Sequence, residues 1–433
     1  MATRINRVTA ARVFLWGRET GAVGWNEERR LAEFEYTDTL VRSGLQPAPL
    51  TMPLRTGIFS FPELNPKTYY GLPGLLADSL PDRFGNRIID LWLARQGRTP
   101  GDFSPIERLC YMGSRGMGAL EFKPTLGPQA RKAVPIEVSE LTQLAADILR
   151  HRTKWAVNLK GAQAEALNAI IRVGTSAGGN RAKAVIAWNP KTHEVRSGQV
   201  PMPPGFEPWI LKFDGVNDAS LGDPEGFGRV EYAYHKMAVA AGITMTPCRL
   251  LEESGRAHFM TRRFDRNDQG EKLHMQSLCA LAHYDFNAAG EYGYEQALAV
   301  IQQLNLGYPT MQEMFRRMAF NVVARNQDDH TRNIAFLMDR EGLWRLSPAF
   351  DVIWAHNPAG EWTNRHQMSV NGKTDHFTKS DILAIAKQFG IKGATEILAR
   401  VIDTVARWQE FADEARVPGE LRKQIAQTHR VRL

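Results

Sequence analysis

The chain has 433 residues, of which 43% are hydrophobic and 23% charged, and its formal net charge at pH 7 is +7. This composition excludes global disorder and allows two or three domains. No apolar run reaches the roughly 18 residues of a membrane span, and the first residues lack the apolar core of a secretion signal. The cysteines Cys110, Cys248 and Cys279 form no CxxC pair, which argues against disulfides or zinc and predicts a cytoplasmic protein.

The first part of the chain alternates short β-like runs with turns. Strands are predicted at Ala11–Trp16 and Ala32–Tyr36, among others. Hydrophobic residues at helical spacing then indicate a helical segment over Leu75–Gln96, and a turn-rich strand region covers Tyr111–Phe122. A stretch rich in proline and glycine follows. These features predict a β-rich N-terminal domain over residues 1–125.

The rest of the chain mixes the two periodicities and then becomes helical. Strands are predicted over Ala184–Trp188 and Trp209–Phe213, followed by a helix that ends at Gly242. Residues 136–270 are therefore predicted to form a mixed α/β region, and residues 271–433 a mainly helical lobe. The predicted fold class is α+β.

The densest group of polar residues is the run NQDDHTRN at Asn326–Asn333. Two predicted strands follow it and form a hairpin, which brings the end of this run close to the residues after the second strand. Asp328, Asn333 and Asp351 are therefore expected to meet at the mouth of the hairpin. Oxygen ligands of this kind suit Mg²⁺. Phosphoryl transfer needs the same set, with one aspartate for the acceptor hydroxyl and an asparagine and a second aspartate for the metal.

We therefore predict Asp328 as the catalytic base, and Asn333 and Asp351 as metal ligands. His330 is expected to brace the loop by hydrogen bonds, whereas Asp329 receives no definite role. The alternative is an ordinary polar turn, because aspartate and asparagine are common turn formers. However, this many polar groups between an apolar helix and an apolar hairpin exceed what a turn requires.

Two features upstream are typical of phosphate binding. The loop Gly174–Gly179, with Gly178 and Gly179 at its end, offers successive backbone N–H groups, although alone it is a weak signal and not a Walker A motif. Lys212 lies in the apolar strand WILKF, where a charge needs a partner. It is predicted to bind phosphate, with Glu231 on the next helix as its partner. The alternative is an edge-strand lysine that faces water.

Adenine needs a flat apolar slot and backbone hydrogen bonds. The run Met260–Asp265, which includes Arg262 and Phe264, ends a predicted strand at a domain junction and is the candidate segment beside the adenine of ATP. Phe264 is either a wall of this slot or an ordinary core residue.

The order of these motifs resembles the HipA family of bacterial serine/threonine kinases. The resemblance rests on the glycine loop, the strand lysine, RRFDR, NQDDHTRN and LSPAFDV, and on LRTG, LLADSLP and GSRGMGAL in the N-terminal half. Asp329 and Arg332 stand where many members have glycine and lysine, but neither change removes a proposed ligand. The resemblance covers nearly the whole chain and implies a protein-kinase-like fold of the HipA type.

The resemblance also implies a function, namely a growth-arresting toxin kinase that uses ATP and Mg²⁺. Such kinases phosphorylate a translation factor or an aminoacyl-tRNA synthetase, and a small helix-turn-helix antitoxin bound to operator DNA restrains them. DNA is then reached only through that partner. Members autophosphorylate a serine in the glycine loop, and counting seven residues back from Lys183 gives Ser176, with Thr175 as the adjacent rival.

Three other functions remain as alternatives. A small-molecule kinase shares the metal and lysine residues but encloses its acceptor in a pocket. A non-catalytic co-repressor, basic and bound to DNA through a partner, belongs to a different class. A phosphohydrolase with Asp328, His330 and Asp351 as metal ligands leaves Lys212 and the glycine loop without a role.

Overall fold

The chain divides into two compact units, each assembled from separate segments. The computed structural model describes residues 7–127, 133–150, 170, 181–199, 202–216, 225–267 and 269–433. The first unit holds Met1–Glu225, Leu251–Met275 and Met338–Gly342. The second unit holds Gly226–Leu250, Gln276–Leu337 and Leu343–Leu433. Sheets and helices are largely segregated along the chain, so the predicted α+β class is confirmed.

The first sheet is built from the start of the chain. Its strands are β1 (Ala10–Leu15), β2 (Arg18–Asn26), β3 (Leu31–Tyr36), β4 (Ile58–Phe59) and β5 (Leu120–Lys123). They lie in the order β4-β3-β2-β1-β5. In β3, the buried Ala32, Phe34 and Tyr36 alternate with more exposed residues, so one face of the strand lies in the core. The strands predicted for this region are confirmed.

Five helices accompany this sheet. They are α1 (Asp38–Ser43), α2 (Pro66–Tyr69), α3 (Gly74–Ala77), α4 (Arg83–Ala94) and α5 (Pro105–Met112). The segment predicted as helical over Leu75–Gln96 is two helices, because Pro81 interrupts the pattern. Asp82 then begins α4, since its side chain accepts a hydrogen bond from the Gly85 N–H at 2.7 Å.

The strand region predicted over Tyr111–Phe122 is wrong at its start. The side chains of Ser104 and Glu107 form a capping box that begins helix α5, and this helix extends into the region as far as Met112. Only the end of the region is extended, in β5.

The second sheet carries the strand lysine. Its strands are β6 (Lys183–Trp188), β7 (Val195–Ser197), β8 (Glu207–Lys212), β9 (Cys248–Glu253) and β10 (Arg256–Arg262). They lie in the order β7-β6-β8-β10-β9, so β8 is a central strand. All six residues of β6 are buried. Helix α6 (Val138–Arg150) contributes Leu141, Leu144 and Ile148 to the same hydrophobic core.

The second unit is mainly helical. Its helices are α7 (Phe227–Ala240), α8 (Leu278–Ala282), α9 (Tyr294–Gln303), α10 (Tyr308–Val323), α11 (Lys379–Gln388), α12 (Ala394–Ala406), α13 (Trp408–Glu414) and α14 (Gly419–Thr428). Gly242 follows the end of α7 with a φ of 91°, as expected of a C′ glycine. Thr378 and Asp381 form a capping box at the start of α11. No helix in the described part of the chain is long and apolar enough to cross a membrane.

Three further strands, which are interspersed with helices along the chain, form a third sheet. It consists of β11 (His274–Ser277), β12 (Ala335–Met338) and β13 (Trp344–Leu346), in the order β11-β12-β13. Helix α10 buries an apolar stripe, since Met314, Phe315 and Met318 are fully buried. The loop that carries the acidic run connects α10 to β12.

Candidate active site

Backbone hydrogen bonds fix the loop at Asn326–Asn333. The Gln327 N–H donates to the carbonyl of Ala355 at 3.0 Å, which ties the start of the loop to a distant segment. Strands β12 and β13 pair as the predicted hairpin. At its open end the Ser347 N–H donates to the carbonyl of Ala335 at 2.9 Å. The hairpin mouth therefore lies where the sequence indicated, directly after the loop.

The Asp328 carboxylate is held by one of its two oxygens. The Trp362 indole N–H donates to Oδ1 at 2.6 Å, and His330 Nε2 lies 3.7 Å from the same oxygen. None of the described residues donates a hydrogen bond to Oδ2, and 40% of the side chain is exposed. Desolvation raises the pKa of this carboxyl above its ordinary value, and the nearby Asp351 and Asp329 raise it further. The charge of His330 and the hydrogen bond from Trp362 act in the opposite direction.

Asn333 and Asp351 line one small cavity of about 30 Å³, and Asp329 and His330 are also in its wall. The Asn333 Nδ2 donates to the backbone carbonyl of Asp328 at 2.8 Å, which leaves its Oδ1 available to a ligand. Asp351 has a φ of 52°, in the left-handed region that costs a non-glycine residue free energy. Backbone strain of this kind is concentrated at functional sites.

The chemistry of these donors fits Mg²⁺. The described part of the chain holds no group of three or more His, Cys, Asp or Glu side chains arranged as a metal site. Magnesium is usually bound by one or two carboxylates and completed by water and substrate phosphates, so a carboxylate and an amide oxygen are compatible with it. The metal roles of Asn333 and Asp351 stay predictions.

Asp329, next to the proposed base, is fully satisfied. Its Oδ2 accepts hydrogen bonds from the Tyr294 hydroxyl at 2.9 Å and from His366 Nδ1 at 2.8 Å. Its Oδ1 accepts a hydrogen bond from the Gln367 N–H at 2.8 Å, and only 1% of the side chain is exposed. These hydrogen bonds fix the loop, a role of Asp329 that the sequence did not reveal.

His366 connects this carboxylate to the end of the chain. Arg430 Nη1 lies 3.2 Å from His366 Nε2. Because a guanidinium only donates, this nitrogen accepts, and the proton of the ring is on Nδ1, which faces Asp329. Arg430 also pairs with Asp375, and its backbone N–H donates to the carbonyl of Val323 at 2.8 Å. A chain of hydrogen bonds thus runs from the loop to the C-terminal residues.

The imidazole of His330 makes no hydrogen bond to the described residues, and its Nδ1 is buried. Its ring lies 5.3 Å from the ring of Phe286 and 6.2 Å from that of Trp362. The bracing predicted for His330 was expected to use hydrogen bonds, whereas the contacts present are ring packing and proximity to Asp328.

Lys212 lies at the end of β8, the central strand of the second sheet. It is only 8% exposed and has β6 on one side and β10 on the other, so the edge-strand alternative is wrong. Its ammonium is 5.7 Å from the ring centre of Phe259. Lys183 is its direct partner in the β6–β8 register, which puts both lysines on one face of the sheet. Lys183, which the sequence did not suggest, lies 3.9 Å from the carboxylate of Asp82.

The remaining residues predicted to contact ATP are distributed over both units. Arg262, opposite Trp209 in the register, and Phe264 are half-buried in the first unit. Glu231 is 2% exposed in α7, in the second unit, and its pairing with Lys212 stays a prediction. Three predicted residues lie outside the described residues: Ser176, Gly178 and Gly179.

The run around Arg262 also contains a buried ion cluster. Asp265 accepts hydrogen bonds from Arg263 Nε at 2.9 Å and Nη2 at 2.7 Å, and from Arg266 Nη1 at 2.7 Å. The Gly118 N–H donates to the same carboxylate at 2.8 Å. This part of the motif therefore anchors the segment within the first unit.

Comparisons with known proteins agree with this architecture. The model of the HipA N-terminal domain matches residues 11–123, and that of the HipA-like C-terminal domain matches residues 175–409. A solved structure from the Shewanella oneidensis MR-1 toxin–antitoxin complex of HipA, HipB and operator DNA is similar, with a TM-score of 0.67, 17% identity and 96% of each chain covered. This similarity shows a shared fold.

A second solved structure, the Helicobacter pylori proinflammatory kinase CtkA, matches 58% of this chain and 92% of its own. Its TM-score is 0.33 and its identity 12%. No curated protein sequence is significantly similar to this chain.

Proposed function

The chain belongs to the HipA family, and from this premise we propose that it is an ATP- and Mg²⁺-dependent kinase for serine or threonine hydroxyls of proteins. The observation that carries the proposal is the state of Asp328. One of its oxygens is held by Trp362, the other accepts no hydrogen bond from the described residues, and its pKa is raised. A carboxylate in this state is suited to accept a proton, since base strength rises with pKa.

In the proposed reaction, the acceptor oxygen forms a bond to the γ-phosphorus of ATP. The bond from this phosphorus to the bridging oxygen breaks, and ADP leaves. Asp328 takes the hydroxyl proton on Oδ2. Asn333 and Asp351 would hold Mg²⁺, and the bound ion would neutralise charge on the phosphates. Asp329 keeps the loop in place through its buried hydrogen bonds.

Lys212 is proposed to contact a phosphate of ATP. It is buried on a central strand, and Lys183 adds a second positive charge on the same face of the sheet. Anionic phosphate is the kind of ligand that such a pair favours. The other proposed ATP contacts are those predicted from the sequence, Gly178, Gly179, Glu231, Arg262 and Phe264.

The biological role proposed for this chain is that of a growth-arresting toxin. The similar structure from Shewanella oneidensis MR-1 is a complex with HipB and operator DNA. By analogy, we propose a small helix-turn-helix antitoxin as partner, with DNA bound only through it. A translation factor or an aminoacyl-tRNA synthetase is the proposed protein substrate.

Ser176 is the proposed site of autophosphorylation. A hydroxyl among glycines has few backbone limits, and a phosphate there adds roughly two negative charges that repel ATP. Mass spectrometry of the wild type and of Asp328→Asn tests this. We expect phosphate on Ser176 in the wild type only. Phosphate in both forms means that another kinase adds it, and phosphate in neither contradicts the model.

The experiment that tests the kinase is incubation of the purified chain with labelled ATP and Mg²⁺, with and without cell lysate. Labelled protein bands that disappear with Asp328→Asn support the proposal. Asp403→Asn, an exposed aspartate on α12, is the matched control and should keep full activity. Label found only in small molecules indicates a small-molecule kinase instead. Salt-sensitive DNA binding without ATP turnover indicates a co-repressor.

A further inference from the structure

The segment 356–367 is tied to the catalytic loop at several points. His356 Nδ1 is within hydrogen-bond distance of Gln327 Oε1. At the other end the Gln367 N–H donates to Asp329 Oδ1 at 2.8 Å. The Gln367 side chain also donates to the carbonyl of Trp362. The backbone of Trp362 is therefore held by Gln367, whose own N–H donates to Asp329 in the loop.

The indole of Trp362 ends at the proposed base. Its Nε1–H donates to Asp328 Oδ1 at 2.6 Å, although 34 residues separate the two along the chain. An indole only donates, so it neither takes up a proton nor competes for one. The terminal torsion of an aspartate is soft, and a hydrogen bond to one oxygen therefore selects one orientation of the carboxylate. Here that orientation leaves Oδ2 without a donor among the described residues.

We propose that Trp362 is a positioning residue, which holds Asp328 so that Oδ2 meets the acceptor hydroxyl. The inference rests on the proposed kinase function. The hydrogen bond to Asp328 is the role that we assign to the indole. The ring of His330, 6.2 Å from that of Trp362, packs beside the loop as well. A carboxylate free to rotate presents the wrong oxygen part of the time, and small misplacements of reacting groups cost about tenfold to a hundredfold in rate.

Trp362→Phe tests the role, because it keeps an aromatic ring and removes the N–H. We expect kcat for phosphate transfer from labelled ATP to protein to fall about tenfold or more. The KM for ATP should stay unchanged, because the Trp362 indole donates its hydrogen bond to Asp328, which is proposed to act on the acceptor hydroxyl and not on ATP. A merely structural defect disturbs both constants. The chain itself and cell lysate serve as acceptors.

Trp354→Phe is the matched control. The Trp354 indole also donates a hydrogen bond within the second unit, to Thr428 Oγ1 at 2.9 Å, and does not contact Asp328. This variant should keep kcat within about twofold. Equal losses of kcat in the two variants, or a rise of the KM for ATP with Trp362→Phe, overturn the positioning role.

The contact itself has a readout that needs no activity. The indole N–H resonance of Trp362, identified in NMR spectra by its absence from Trp362→Phe, should move in Asp328→Ala. A resonance that does not move overturns the inference. An active wild type with an unaffected Trp362→Phe overturns the positioning role alone. A wild type that transfers no phosphate overturns the proposed function, and the positioning role with it.

Discussion

Asp265 in the first unit and Asp328 in the second show two opposite uses of a carboxylate. Burial alone pushes the pKa of Asp265 up, but the charges and hydrogen bonds of Arg263 and Arg266, with the Gly118 N–H, outweigh it and hold this pKa well below its usual range. The pKa of Asp328 is raised instead, and none of the described residues donates a hydrogen bond to its Oδ2. A carboxylate whose two oxygens both accept hydrogen bonds stabilises the fold, whereas one with an unoccupied oxygen is available for chemistry.

The same contrast recurs within two adjacent residues. Both oxygens of Asp329 accept hydrogen bonds, from Tyr294, His366 and the Gln367 backbone. Among the described residues, the Asp328 carboxylate has Trp362 as its single hydrogen-bond donor. Neighbours in sequence thus divide the two tasks.

Asp328→Asn should have the largest effect. Loss of a general base costs about 10²–10⁴ in rate, so phosphate transfer should become hard to detect. The fold should gain stability. A carboxyl with a raised folded pKa is destabilising when ionised at neutral pH, and the amide has no charge to desolvate. Initial rates and thermal unfolding at pH 7 measure both quantities, and near wild-type turnover contradicts the role of Asp328.

Asp265→Asn should do the reverse. Breaking a buried ion pair costs about 3–5 kcal/mol, because Arg263 and Arg266 keep charges without a partner. The folded pKa of Asp265 is lowered, so its contribution to stability is present above the unfolded pKa of about 4 and is lost as pH falls below it. Denaturant unfolding from pH 7 to pH 3 should show this dependence in the wild type.

The matched control for Asp265 is Glu19→Gln. Glu19 pairs with Arg12 on the exposed surface of the same unit. Exposed ion pairs contribute little, so this variant should unfold at the wild-type denaturant concentration. If the two variants lose equal stability, the buried hydrogen bonds of Asp265 are no more important to the fold than an exposed ion pair.

Lys212→Ala should have an intermediate effect, on ligand-induced stability. ATP with Mg²⁺ at about 100 times its dissociation constant adds roughly 2.7 kcal/mol to the free energy of unfolding. The variant should lose most of this gain, which the shift of the unfolding temperature measures. Lys272→Ala is the control, since this lysine already pairs with Glu121 at 2.8 Å. If both variants keep the full shift, Lys212 contacts no phosphate.

The hairpin made part of the site predictable from the sequence. Asn333 and Asp351 line one cavity because a short antiparallel pair of strands brings its two ends together, whatever the rest of the fold does. The central place of Lys212 was not predictable. It depends on β10, which begins at Arg256 and returns beside β8.

The hydrogen-bond partners of Asp328 and Asp329 could not be predicted from the sequence either. Trp362 and His366 lie 34 and 37 residues from the carboxylates they contact, in a segment without helical or strand periodicity. Irregular backbone has no repeating geometry from which to infer contacts, so only the fold identifies these residues. By contrast, the capping box of Ser104 and Glu107 was a readable signal for α5.

Arg430→Ala should have the smallest effect. Arg430 reaches Asp329 only through His366, so this variant tests how much the hydrogen bonds of Asp329 depend on a more distant residue. The guanidinium donates to His366 Nε2 and pairs with Asp375. Its removal leaves a buried acceptor on His366 without a donor, which costs about 1–2 kcal/mol. The unfolding temperature should therefore fall by a few degrees. The His366 proton stays on Nδ1 and still bonds Asp329, so the KM for ATP should not change.

Arg432→Ala is the control for Arg430, because Arg432 is exposed two residues further along the same tail. It should leave both the unfolding temperature and the rate unchanged. Arg430→Ala should slow phosphate transfer far less than Asp328→Asn. Asp329 and its partners only hold the loop in place, whereas Asp328 is proposed to act on the substrate hydroxyl. If Arg430→Ala instead abolishes transfer without lowering stability, Asp329 and its partners take part in the reaction.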